Sequence, residues 1–457
     1  LVIVIFLGIF SSNHKPNSYS EGSLIFMAQS VLKKPENNKR ALALLFTANG
    51  ISGFAQGLTM LSVPWYFAQQ SMSSQFNLMY GMVTFMTIFW GLWAGTAVDR
   101  FNRKHIFLLN NTIEGTVVLM VASYGLSQTG LLPVPLIMLV FAVTIFGFYI
   151  HYPNLYAFTQ EITAEGDYTR VNSYIEIVGQ STNVMAGALA ALLLEGINWQ
   201  TEWIFMGQSL SLDLQLEAWT LPEIFMLDGV TYIISIGLIS LIRYAPLEER
   251  EIETGLLMKR LKTGFQFLKD HPMILVFGIC SYNIFVVMLV KLHALMPLYI
   301  TNHLQEGGDI FGAMEVLYAL GALSAGLFIG NLFQRFTTVN AIIILLIMAT
   351  MALSLSAMTN SVGLFLIVGL MIGFANAGSR VLRLSYLFKH VPNRVIGRVN
   401  SIFSIINVML RVFFLSIFSA QFFGQDSNIV FAYGIMAVFT ALSAVILMAY
   451  YRRIVYV

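Results

Sequence analysis

Gly95-Thr-Ala-Val-Asp-Arg-Phe-Asn-Arg-Lys104 is a charged stretch set directly between two long apolar runs, residues 77–98 and 105–126. Each run is long enough to cross a bilayer. A short loop holding an acid, two arginines and a lysine, entered through a glycine that lets helices approach closely, reads as an ordered cytoplasmic turn between two membrane helices. The fold that follows is an all-α membrane protein.

Composition agrees. The 457 residues are 57% hydrophobic and only 11% charged, with a mean hydropathy of +0.75, whereas a soluble chain carries about 25% charged residues. Of the 25 Lys and Arg, all but Lys15, Lys291, Arg380, Arg383 and Arg411 fall in alternate segments between apolar runs or at their margins. That positive-inside bias orients the chain in a bacterial-type plasma membrane with both termini cytoplasmic. The single cysteine, Cys280, lies in an apolar run and reads as packing. The opening LVIVIFLGIF is too short to span and lacks the charged start of a signal peptide. Met27 precedes the basic residues Lys33, Lys34, Lys39 and Arg40 and is the expected natural start.

Spanning helices of about 20 residues fit twelve times, at residues 41–69, 77–98, 105–126, 132–158, 171–194, 222–242, 273–301, 309–333, 339–359, 361–388, 396–423 and 429–451. An N-terminal extension (1–37) thus precedes a six-helix bundle (38–243), a linker (244–272) and a second six-helix bundle (273–457). In the linker, Leu257, Leu261, Phe265 and Leu268 recur at helical spacing, which predicts an amphipathic helix lying on the cytoplasmic membrane surface. The longest external loop, residues 198–221, has no Lys or Arg but holds Trp199, Trp203 and Trp219, and reads as an interfacial anchor or a lid.

The two bundles echo each other. Arg170-Val-Asn-Ser173 recurs as Arg398-Val-Asn-Ser401, and Pro64-Trp-Tyr66 as Pro297-Leu-Tyr299. Arg100 of the opening loop is matched by Arg335 in Gly330-Asn-Leu-Phe-Gln-Arg-Phe-Thr-Thr-Val339, where Gln334 stands for the acid. Three matches in one order at a nearly constant offset argue for duplication into two pseudo-symmetric halves.

The pattern G-x-x-x-D-R-x-x-R-K of the opening loop resembles the loop between helices two and three of the major facilitator superfamily. Asp228-Gly-Val-Thr-Tyr232, Asp270-His-Pro272 and the run from Val391 to Ser401 are similar to its drug-proton antiporter branch, which includes macrolide efflux proteins and the enterobactin exporter. One departure stands: the fifth span has Gly179 and Gly187 but lacks the Gly-Pro common in antiporters. The resemblance implies that Gly95 packs span 2 on span 11, that Asp99 meets the start of span 11, and that Arg100, Arg103 and Lys104, with Arg335 and Arg398, form a gating relay holding the cytoplasmic side shut.

Charges at membrane depth are costly, so each is a functional candidate. The acids are Glu114, Glu176, Asp228 and Glu315. Glu176 and Glu315 lead as proton carriers; Asp228 and Glu114 are further candidates, Asp228 with a local capping role as its alternative. Glu176, Gln180 and Asn183 form one polar stripe on span 5, expected to face a central cavity. Among the bases, Lys291 is expected to pair with Glu315 and Arg383 to snorkel toward the cytoplasm. Arg380 and Arg411 leave a cationic bias in the cavity wall, which suits a carboxylate.

No phosphate-binding Gly-rich loop, metal-ligand spacing or nucleophile motif is present, so neither an enzyme, a cofactor nor a nucleic-acid partner is expected. The expectation is a monomeric secondary active transporter in a lipid bilayer, exporting a small organic molecule, a siderophore-like carboxylate or a drug, on a proton gradient. An importer of an anionic metabolite and a non-transporting membrane sensor are the alternatives.

Overall fold

The computed structural model describes residues 35–455 apart from 129, 164–167, 206–207 and 245–256. The expected start at Met27 lies outside these residues, as does the first part of the linker. Twelve helices among the described residues are long and apolar enough to cross a membrane. We number them span 1 (Pro35–Gln69), span 2 (Ser73–Arg100), span 3 (Arg103–Ser127), span 4 (Val134–Ile162), span 5 (Tyr168–Glu195), span 6 (Leu221–Ser240), span 7 (Pro272–Leu304), span 8 (Gly308–Leu332), span 9 (Thr338–Met358), span 10 (Val362–His390), span 11 (Asn393–Phe418) and span 12 (Ile429–Ala449).

Helix starts follow local chemistry. The side chain of Asn102 accepts from the backbone N–H of Lys104 at 3.0 Å and of His105 at 3.3 Å, opening span 3 only three residues after Asp99. Span 6 begins with Glu223 accepting from both the N–H and the hydroxyl of Thr220, with Pro222 in the first turn. Thr337 and Ser361 cap spans 9 and 10.

Packing displays the duplication. Span 1 lies on spans 5 and 6, span 3 on spans 4 and 6, and span 2 on span 4; six positions later span 7 lies on spans 11 and 12, span 9 on spans 10 and 12, and span 8 on span 10. Spans 2 and 11, and spans 5 and 8, join the halves. Close approach depends on glycine at two positions in particular. A Cβ on Gly373 would overlap the Tyr318 carbonyl and one on Gly321 the Leu370 carbonyl, so spans 8 and 10 meet backbone to backbone.

The end that carries Arg100, Arg103, Lys104, Arg335 and Arg398 is here termed the basic end. At the opposite end, two strands, β1 (Ile197–Phe205) and β2 (Gln208–Leu216), form an antiparallel pair in register Trp199↔Leu214 and Trp203↔Leu210. The loop expected to be an aromatic anchor or lid is thus a hairpin. Its cause is legible in Ser209-Leu-Ser-Leu-Asp-Leu-Gln-Leu216, whose period of two is that of a strand.

The linker helix (Leu257–Asp270) packs on span 11: Leu268 is buried in the second half's core, Phe265 is exposed, and a Cβ on Gly264 would fall 2.8 Å from the Arg398 carbonyl. One further element differs from expectation. Span 7 is not a regular helix. It widens into π-turns at Lys291–Leu295 and Tyr299–Leu304, on either side of a short α-turn holding Pro297. Proline has no N–H for the turn before it, and wide turns take up the register around such a break.

Candidate functional site

A cleft of about 160 Å³ lies where the halves meet, lined by Met60 and Leu61 of span 1, Phe148 of span 4, Asn183 of span 5, His293 of span 7, and Glu315 and Tyr318 of span 8 among others. Span 8 reaches it because Gly187 of span 5 admits Glu315 closely; a Cβ there would lie 2.9 Å from that of Glu315. The Tyr318 hydroxyl accepts from Asn376 of span 10 at 2.8 Å, which fixes one wall. Of the expected polar stripe, Asn183 lines the cleft, Gln180 is half-buried, and the side chain of Glu176 lies outside the described ones.

The expected Lys291–Glu315 ion pair is not formed: Lys291 lies beyond the 4.0 Å ion-pair distance. In the first wide turn of span 7, Lys291 is buried 3.6 Å from the Met296 sulfur and 5.5 Å from the Phe365 ring centre. Nor does Arg383 snorkel. Its guanidinium donates to the Ser281 carbonyl at 3.0 Å and stacks 3.7 Å over the Tyr282 ring, binding span 10 to span 7.

Arg380 is half-buried on span 10 and does not line the cleft. Arg411 is buried on the hairpin side and donates to the Tyr149 hydroxyl of span 4 at 3.0 Å, a bond between the halves. Other contacts between the halves lie toward the hairpin end. Trp65 stacks on Phe311 at 5.4 Å, Asn77 donates to the Phe418 carbonyl at 3.1 Å, and the Gly308 N–H donates to Glu195 at 2.6 Å. His293 meets Tyr80 edge-on at 5.6 Å.

A second polar group lies within the first half, apart from the central cleft. Glu114 of span 3 accepts from Gln56 of span 1 at 3.0 Å, from Tyr232 of span 6 at 2.6 Å, and from Asn110 one turn earlier. Nearby, Thr59 of span 1 donates to Asp228 of span 6 at 2.8 Å, so Asp228 binds across helices rather than capping locally. All of these side chains are buried. Glu114 and Asp228 therefore tie spans 1, 3 and 6 together, and neither lines the central cleft. Sequence reasoning found the two acids but not Gln56, Thr59 or Tyr232 as their partners; a donor facing each buried acid is what burial requires.

The charged turn between spans 2 and 3 binds within its own half. Arg103 pairs with Glu161 of span 4 at 2.7 Å, and Asn154 donates to its carbonyl at 2.9 Å. Lys104 donates to the Ser240 and Ile242 carbonyls, each at 2.8 Å, closing the C-terminus of span 6. In this arrangement these two residues clamp spans 3, 4 and 6 and do not reach span 11. Arg100 and Arg335 are exposed, and Arg398 is half-buried beneath the linker helix. The Asp99 side chain is outside the described ones. A Cβ on Gly95 would meet nothing within 4 Å, so the expected packing of Gly95 on span 11 is not present in this arrangement. Lys104→Met should lower stability by about 1–2 kcal/mol, read as a lower thermal midpoint of the purified protein. An unchanged midpoint would show that the span 6 carbonyls are as well served by water.

A family model described as Major Facilitator Superfamily matches residues 45–415 and 295–456. Macrolide efflux protein A of Streptococcus pyogenes is 21% identical over 346 residues, covering 74% of this chain and 78% of that protein. Among solved structures, a bacterial homologue of the human lysosomal transporter Spinster, inward-facing and unoccupied, superposes with a TM-score of 0.68 at 13% identity, over 92% of this chain and 98% of that one. The nucleoside transporter NupG gives a TM-score of 0.63 at 12% identity, over 91% and 99%.

Proposed function

The chain belongs to the Major Facilitator Superfamily, and from that premise we propose that it is a secondary active transporter that exports a small, largely apolar organic molecule in exchange for protons. The observation that carries the reading is Glu315. It is a carboxyl group in the cleft between the halves, with no ion-pair partner among the described residues. As the halves rock about that cleft, such a group meets one aqueous side and then the other, and binds a proton or a substrate in turn. The Met, Leu and Phe side chains around it suit an apolar molecule. Similarity to a macrolide efflux protein supports the outward direction. We assign the basic end to the cytoplasm of a bacterial-type plasma membrane, both termini with it, on the positive-inside bias. The hairpin end is then the shut end, and the monomer is the working unit.

Flux into proteoliposomes tests this, with a radiolabelled macrolide and the permanently cationic dye rhodamine 6G as probes. Vesicles acidic inside should accumulate a probe while releasing protons, beyond protein-free vesicles. Accumulation driven only by external acid would identify an importer, and none under either gradient a sensor.

A carboxylate-bearing substrate is the second reading, because Nε of Arg411 is buried with no partner among the described residues and a guanidinium has an edge to offer a carboxylate. Arg411 also joins the halves. Loss of a hydrogen bond to a charged group removes about 1.5–3 kcal/mol, so Arg411→Ala should raise the hairpin-open population about tenfold or more. Cys280 is the only cysteine, so Leu61→Cys in a Cys280→Ser background reports this through labelling by an impermeant maleimide added at the hairpin side. Equal labelling with and without Arg411 would remove its latch role.

A further inference from the structure

A second and larger cleft, about 610 Å³, lies between spans 2, 3 and 4 of the first half. It is separate from the central one; the two share no lining residue. Its mouth is formed by Met120, Tyr124 and Leu139, which are 60%, 44% and 39% exposed on faces that a bilayer would cover. Its floor is Glu114. A Cβ on Gly147 of span 4 would overlap that carboxyl group, so bare backbone at this point is what lets the acid reach the cleft.

Glu114 stands near the middle of span 3, about 17 Å from its start and about 20 Å from its end at 1.5 Å per residue. Its three hydrogen-bond partners, Gln56, Asn110 and Tyr232, are neutral donors. Among the described residues no Lys, Arg or His lies within ion-pair distance of it. An acid at that depth with donors but no counter-charge, at the bottom of an apolar cleft open to lipid, is complementary to a cation with a greasy body. A cation seated there would favour the carboxylate form of Glu114, and an anion would disfavour it. A phospholipid would bring only the apolar end of its chain to the carboxyl group, because its head group lies at the interface, about 15 Å away.

We propose that this lateral cleft is a binding site for lipophilic organic cations that enter from the bilayer and are held by Glu114. Binding there is independent of the transport reading; only the onward fate of the ligand, export, rests on it.

Photolabelling of the full chain in lipid nanodiscs tests the site. The probes are 4-benzoylbenzyl-trimethylammonium, its neutral methyl ether counterpart, and a phospholipid with benzophenone on its acyl chain. The cation should cross-link to spans 3 and 4 near Met120 and Leu139. Glu114→Gln should cut that labelling about tenfold or more and leave labelling by the ether unchanged. Leu139→Trp, which fills the mouth without touching the polar group, should exclude the cation even if the first variant folds poorly. Equal labelling by cation and ether, preference for the phospholipid, or cross-links confined to the central cleft would each overturn the proposal. If proton-driven flux fails while Glu114-dependent labelling persists, the transport reading falls and the site stands. If flux requires Glu315 but labelling ignores Glu114, the site falls and the transport reading stands.

Discussion

Glu315→Gln should abolish gradient-driven flux in proteoliposomes, by about a hundredfold or more, while leaving exchange of labelled for unlabelled substrate largely intact. The carboxamide has nearly the same shape, so the cleft with Asn183, His293 and Tyr318 should keep its form. What it lacks is a proton to release. A transporter so altered still rocks when substrate is bound, because substrate fills the cleft in both directions, but the return step no longer carries a proton. The split between the two assays separates a proton carrier from a residue that merely shapes the site, which would lower both. Gradient-driven accumulation by the variant at the wild-type rate would transfer the role to another acid, Glu176 first.

The largest structural loss should come from Gly373→Ala. The added methyl group would overlap the carbonyl oxygen of Tyr318 and lie 2.8 Å from its carbonyl carbon, both backbone atoms that no rotamer change can move away. Spans 8 and 10 must then separate by a fraction of an ångström along their whole contact, at a cost of about 1–3 kcal/mol or more. Tyr318 lines the central cleft on the neighbouring turn to Glu315, so the same displacement reaches the site. We expect a lower thermal midpoint in detergent together with weakened substrate binding. By contrast Gly326→Ala, on span 8 in open space, should be neutral in both. Equal behaviour of the two variants would mean that the close helix approach does not govern this half.

The twelve spans and the twofold repeat were legible in the sequence because hydrophobic length and charge alternation are one-dimensional signals. The pairing of spans repeats at an interval of six, as the Arg-Val-Asn-Ser echo leads one to expect. Side-chain direction was less legible. Lys291 sits in a π-turn beside Pro297, six residues on, and is held beyond ion-pair distance of Glu315. Arg383 finds an aromatic face on another helix, and neither partner is adjacent in sequence. The loop spacing does not show which acceptors Arg103 and Lys104 meet in this arrangement, because Glu161 and the carbonyls at the end of span 6 come from 58 to 138 residues further along. The hairpin is encoded in the period-two alternation of residues 209–216 and not in the three tryptophans of the same loop.

The two wide turns give span 7 slack. Each holds one residue more than an α-turn over nearly the same rise, and one residue corresponds to about 100° of rotation. A bulge that migrates by a turn therefore spins the residues it passes while both ends of the helix stay anchored. Lys291 and His293 sit on the first bulge, so a cation now stored among Met296 and Phe365 lies one such slip away from a different heading. In a molecule otherwise built of rods, span 7 is the element that can change what it presents without changing where it stands.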